Sequence, residues 1–210
     1  MPALAPATIL VPTPHGPAAA HLHVAERPRG ALVLGHGAGG GIHAGDLVAV
    51  TAAAQSAGFT VVLVEQPYRV AGRRAPPRAP TLDVGWSAVL AHLAGDVLAG
   101  LPLVVGGRSS GARVACRTAV ATGAIGVLCL AFPLQPPARS GRPPAPSRLP
   151  ELDAARVPVL VIQGDRDPFG LPPAAADRTV AIVSGDHSLR VGLTAVAATA
   201  REWLAEVVPE

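Results

Sequence analysis

The chain has 210 residues, half of them hydrophobic but only 3% aromatic, with 17 Lys+Arg against 14 Asp+Glu for a formal net charge of +3. That length suits one domain, residues 1–210, with a core built from Ala, Val and Leu. The basic excess is all arginine and gathers around residues 69–78 and 139–148; it lacks the dense basic face and stacking aromatics of a nucleic-acid reader, so no nucleic-acid partner is expected.

In chain order, residues 8–11 and 20–25 predict two short strands around a Pro-Gly turn at 14–17. His21 and His23 alternate with Leu22 and Val24, as in a half-exposed strand. Residues 31–34 form an apolar run ending in glycines, and 47–57 place Leu47, Val50 and Ala54 on one helical face before Gly58. The β-branched run 60–64 predicts a central strand. Residues 65–80 are rich in Arg and Pro and predict a loop, followed by a helix over 82–93. A strand at 103–105 breaks into a glycine-rich turn, then a helix over 111–122. Strands follow at 126–131, 157–162 and 180–183, with a Pro-rich loop at 134–149 and a closing helix at 193–207. Strands that are apolar throughout have both faces covered, which indicates a mostly parallel sheet between two layers of helices.

Cys116 and Cys129 lie in apolar stretches without CxxC spacing or histidine neighbours, so they read as buried free thiols. The N-terminus has no basic segment and is interrupted by Pro2, Pro6, Pro12 and Pro14, so no signal peptide is expected. No uninterrupted apolar run approaches about 18 residues, so no membrane span is expected and the cytoplasm is the default location.

Four segments concentrate chemistry, each just past a predicted strand. Gly107-Arg108-Ser109-Ser110-Gly111 is a G-x-S-x-G. A chance match somewhere in the chain is about a one-in-ten event, so its weight comes from position, between strand and helix, where a serine nucleophile stands on a strained turn. The helix start adds partial positive charge. His36-Gly37-Ala38-Gly39-Gly40 keeps backbone N–H groups unobstructed; Ala38 and Ser110 N–H are the expected oxyanion donors. In Gly164-Asp165-Arg166-Asp167-Pro168 two carboxylates compete as the acid that orients a base. Either could instead serve the turn, with Asp165 capping it or pairing with Arg166. Ser184-Gly185-Asp186-His187-Ser188 supplies a histidine downstream of serine and acid, in an order known for this chemistry. Tyr68, Arg69, Arg73 and Arg74 follow a strand and border the same edge; with Gly37 and Gly39, Tyr68 and Arg69 are the expected substrate contacts. A solvated arginine loop is the plain alternative. Arg108 reads as a structural anchor.

With these residues in place, the chain resembles the α/β-hydrolases, most of all a compact dienelactone-hydrolase-like group. The matching pieces are LGHGAGG (34–40), EQPYRVAGRRAPP (65–77), GGRSSGARVA (106–115), FPLQPP (132–137), VPVLVIQGDRDPFG (157–170) and GDHSL (185–189). The resemblance implies a three-layer α/β-hydrolase fold without a separate lid domain, and Asp167 rather than Asp165 as the acid. A dienelactone hydrolase proper uses a cysteine nucleophile, where this chain has Ser109. The expectation is a serine hydrolase acting on a small ester through Ser109, His187 and Asp167, with no metal or organic cofactor and no membrane partner. The rivals are an inactive binding protein on the same fold and an acyltransferase using the same residues.

Overall fold

The computed structural model describes residues 7–137, 140–141 and 143–209; Pro2, Pro6, Arg139 and Arg142 of the sequence reading lie outside the described residues. β1 (Ala7–Val11) and β2 (Ala18–His23) open the chain as a hairpin. From β3 (Gly30–Gly35) onward, strands alternate with helices: α1 (Gly45–Ser56), β4 (Phe59–Glu65), the short α2 (Pro67–Val70), α3 (Ala79–Ala94), β5 (Leu103–Arg108) and α4 (Ser110–Thr118). β6 (Gly126–Leu130), the short α5 (Leu149–Asp153), β7 (Val159–Gly164), β8 (Arg178–Val183) and α6 (Leu193–Val207) complete it. Among the described residues the strands form one eight-stranded sheet in the order β1-β2-β4-β3-β5-β6-β7-β8. The β1/β2 and β2/β4 pairs are antiparallel and the rest are parallel.

Alternation along each strand divides the core into two layers. Val33, Val62, Val105, Val127 and Val161 face α3 and α4, where Leu82, Trp86, Val89 and Leu93 pack. Leu32, Leu34, Leu63, Leu128, Leu130, Leu160 and Ile162 face α1 and α6, where Leu47, Val50, Val196 and Leu204 pack. β3, β6 and β7 are buried at every position, so the expected parallel sheet covered on both faces is what forms.

The departures have local causes. β2 lies two residues earlier than expected: its ladder to β4 ends at His23, and the Ala25 N–H turns instead to the Thr60 hydroxyl. β5 runs on through Gly106 and Gly107 to Arg108, because those glycines keep their rungs opposite Leu128 and Cys129 rather than ending the strand. The 65–80 segment, expected as loop, holds α2, which Pro67 starts and Gly72, at φ 73°, follows. α3 begins at Ala79, and α4 stops at Thr118. α5 begins where the Pro-rich loop ends. Cys116 and Cys129 are buried and free, with their sulfurs 3.5 Å apart. None of the described helices is long and apolar enough to cross a membrane.

Candidate active site

β3 lies between β4 and β5, and the helices that follow β3 and β5 pack on opposite faces of the sheet. Their loops therefore part, and the crevice between them is where an open α/β sheet binds ligands. The segments 36–40 and 107–111 both end there.

Ser109 sits at the turn from β5 into α4 with φ 51° and ψ −106°, a conformation that a side chain adopts only under constraint. Two features impose it. The Ser109 N–H donates to the Leu130 carbonyl at 2.9 Å, tying the turn to β6. α4 also starts against the backbone of β3: a Cβ on Gly111 would lie 2.3 Å from the Gly35 oxygen, and one on Gly107 2.4 Å from the same atom. Only glycine permits that approach.

His187 lies on the loop between β8 and α6. Its Nε2 is 2.9 Å from Ser109 Oγ and its Nδ1 2.8 Å from Asp167 Oδ2. A carboxylate only accepts, so Nδ1 donates to it and Nε2 is left to accept from the serine hydroxyl. The Phe169 ring packs on the imidazole with centroids 4.4 Å apart. The Asp167 side chain is fully buried. Its Oδ1 accepts from the Phe169 N–H at 2.9 Å, and its Oδ2 also accepts from Gln163 Nε2 at 2.8 Å. Gln163, itself fully buried, has two Nε2 hydrogens and shares them between Asp167 and the Phe132 and Gly170 carbonyls, each of these at 3.0 Å. Asp165 is more exposed. It accepts from the Gly185 N–H at 2.8 Å and stands 4.0 Å from Arg166, so it caps the turn and steadies the loop that carries His187.

Two further side chains lock the surrounding loops. His36 is buried: its Nε2 accepts from the Gln66 N–H at 3.2 Å, which leaves Nδ1 to donate to the Gly37 carbonyl at 2.8 Å. Burial holds its pKa below 6.5, outweighing the opposing pull of the Gly37 carbonyl and Glu65. The Arg108 guanidinium donates to the His187 carbonyl at 2.9 Å and stands with Nε 3.0 Å from Oδ2 of Asp46, whose side chain is fully buried at the start of α1. Burial pushes the Asp46 carboxyl up more than Arg108 pulls it down. Arg108 is therefore the anchor that the sequence suggested, joining β5, α1 and the His187 loop.

Two clefts meet at Ala38 and Ser109. One, of about 260 Å³, is lined by Ser110, Arg113, Arg117, Arg148 and Phe169; the other, of about 680 Å³, by Gly39, Arg108, His187 and Ser188. The expected oxyanion donors Ala38 and Ser110 thus both border Ser109. Gly39 lines the larger cleft. Gly37, Tyr68 and Arg69 line neither. Gly37 holds His36, and the buried Tyr68 donates its hydroxyl to the Ala38 carbonyl at 3.2 Å, so Tyr68 steadies the loop from behind. Its own pKa is raised by burial. Tyr68 and Arg73 line a neighbouring cavity that shares Pro77 and Leu82 with the smaller cleft, and Arg74 is exposed.

Comparison with known proteins agrees with this architecture. The alpha/beta hydrolase domain family matches residues 28–209, and the chain belongs to that family. No curated protein matches the chain. Among solved structures, the fold is similar to a lidless α/β serine hydrolase from Xanthomonas campestris (20% identity, TM-score 0.76, covering 100% of this chain and 99% of that one). A dienelactone hydrolase from Anabaena variabilis is similar at 18% identity and TM-score 0.76, over 96% and 97% of the two chains. Est1E from Butyrivibrio proteoclasticus is similar at 14% identity and TM-score 0.76, over 97% and 99%. At these identities the likeness is one of fold.

Sequence reasoning passed over Gln163, His36 as a lock, and Asp46. Gln163 had a signal: a polar residue closing the apolar run of β7. Asp46 had none, because an acid in the first turn of a helix reads as ordinary dipole chemistry.

Three consequences are measurable. Gly111→Ala forces α4 off β3 and lowers stability by about 1–3 kcal/mol or more, read from urea denaturation. Arg108→Met leaves the Asp46 carboxyl buried without its cation and costs about 3–5 kcal/mol, part of which Asp46→Asn in the same chain restores. Because the native pKa of His36 is depressed, the unfolded chain binds the extra proton first. Stability therefore declines as pH falls below 6.5, until the native value is also passed. Denaturation curves from about pH 8 to about pH 5 show a shallower decline for His36→Asn.

Proposed function

We propose that this protein is a serine hydrolase that cleaves small carboxylic esters through an acyl-enzyme. The observation that carries the reading is the unbroken hydrogen-bonded line from Ser109 Oγ through His187 to Asp167, at 2.9 and 2.8 Å. In this mechanism His187 Nε2 takes the hydroxyl proton as Oγ attacks the ester carbonyl carbon. The negative charge that builds on the carbonyl oxygen rests on the N–H groups of Ala38 and Ser110, the latter at the positive end of α4. The protonated imidazole, held by Asp167, then gives its proton to the departing alkoxide. Water repeats the cycle on the acyl-enzyme, with His187 as base, and releases the acid. Each polar group around the line is held in place before substrate arrives, so little reorganisation is left for the reaction.

A fluorophosphonate probe and p-nitrophenyl acetate test this directly. The wild-type chain takes up the probe and hydrolyses the ester, while Ser109→Ala does neither. Asp167→Asn folds but loses about 10³–10⁴ in kcat, because the imidazole is left in the wrong tautomer. A wild-type chain that labels no more than Ser109→Ala contradicts the proposal.

A further inference from the structure

The smaller cleft beside Ser109 is lined by three arginines on two elements of different origin. Arg113 and Arg117 lie on α4, and Arg148 lies at the end of the Pro-rich loop. Their neutralisation is uneven. Arg113 forms a two-pronged pair with Glu151 at 2.7 and 2.6 Å. Arg117 does the same with Asp83 at 2.9 and 2.6 Å and reaches Glu151 at 3.1 Å. Two carboxylates are thereby used on two guanidiniums. Arg148 donates through Nη1 to the Pro133 carbonyl at 3.0 Å, and no carboxylate among the described residues pairs with it. Burial, with Arg113 and Arg117 nearby, holds its pKa below the ordinary arginine value against the opposing pull of Glu151. The cluster of Arg113, Arg117 and Arg148 with Asp83 and Glu151 thus carries one more cation than anion.

The two clefts are also chemically distinct with respect to the reaction. His187 must deliver a proton to the leaving oxygen, so the leaving group lies on its side, in the larger cleft that it lines. With the leaving group there, the arginine-lined cleft, which Ser109 and Ser110 also line, is the space left for the acyl portion.

We propose that this cleft is an anion subsite and that the acyl part of the substrate ends in a carboxylate received by Arg148. This deepens the esterase reading and rests on it for the direction of the acyl chain. A guanidinium presents a planar fork of N–H donors that matches a carboxylate, and Arg148 has donors to spare after its one bond to Pro133. The Arg113–Glu151–Arg117–Asp83 network holds α4 and α5 against each other and forms the wall beside it. Arg69, Arg73 and Arg74, which the sequence placed at the same edge, do not line this cleft. Arg148 comes from a distant part of the chain.

Calorimetry on Ser109→Ala, which cannot turn over, tests the subsite apart from catalysis. Monomethyl glutarate and methyl pentanoate have acyl chains of equal length and differ in the terminal carboxylate. The half-ester is expected to bind at least about tenfold more tightly, as one charged hydrogen-bonded contact provides. Arg148→Met in the same background brings the two ligands together, and Arg148→Lys keeps part of the difference. Equal binding, tighter binding of methyl pentanoate, or a preference that survives Arg148→Met overturns the proposal. Failure of the wild-type chain to label with fluorophosphonate overturns the esterase reading instead, while the calorimetric preference still decides whether the cleft receives an anion.

Discussion

The start of α4 runs into the backbone of β3, and the rest of the site depends on that contact. Gly107 and Gly111 both face the Gly35 carbonyl oxygen at separations that no side chain tolerates. With the helix pressed this close, the chain must reverse from strand to helix within a single residue. Ser109 takes the strained conformation that results. The same compression starts α4 at Ser110, directly after the nucleophile, and brings the positive end of that helix to the carboxyl edge of the sheet. A looser junction would relieve the strain and move the serine out of line with His187.

Around that junction, buried polar groups do what apolar packing cannot: they set the direction of loops. His36 ties the turn after β3 to the end of β4, and its fixed tautomer leaves no second arrangement. Gln163 joins Asp167 to the backbone at Phe132 and Gly170. Arg108 joins the His187 loop to Asp46 on α1. Each of these groups would be costly to bury alone, so each arrangement is strongly preferred over its alternatives. His187 is thus placed by two different tethers, one on its ring through Asp167 and one on its backbone through Arg108.

The arginines divide into structural and unspent charge. The basic excess of the composition suggested little by itself, since most of the charges near the site are consumed in pairs. Arg117 bridges Asp83 of α3 and Glu151 of α5, so α4 is fastened to both neighbours on its outer side. That framework leaves Arg148 without a carboxylate partner among the described residues. Its location on the cleft that Ser109 also lines follows from where the Pro-rich loop runs into α5.

Local chemistry makes much of this protein legible in one dimension. Continuous apolar runs identified the parallel strands, because a strand covered on both faces turns no position to water. Ser109, Ala38 and His187 were recognisable because each follows such a run within a few residues of glycine. Asp165 and Asp167 were not separable by spacing, since both sit one turn past β7; the fold separates them by turning one carboxylate toward Gly185 and the other toward His187. Tyr68 was visible as a residue at the right edge, yet its hydroxyl faces the back of the 36–40 loop. Periodicity and turn chemistry act between near neighbours, so the sequence by itself determined the strands, the longer helices and the edge on which reactive groups collect. The pairing of Arg108 with Asp46, the bond of Arg108 to the His187 carbonyl and the placing of Arg148 on the cleft that Ser109 lines join groups far apart in the chain. Only the tertiary structure decided these, because ion pairs and hydrogen bonds depend on distances that no local pattern encodes.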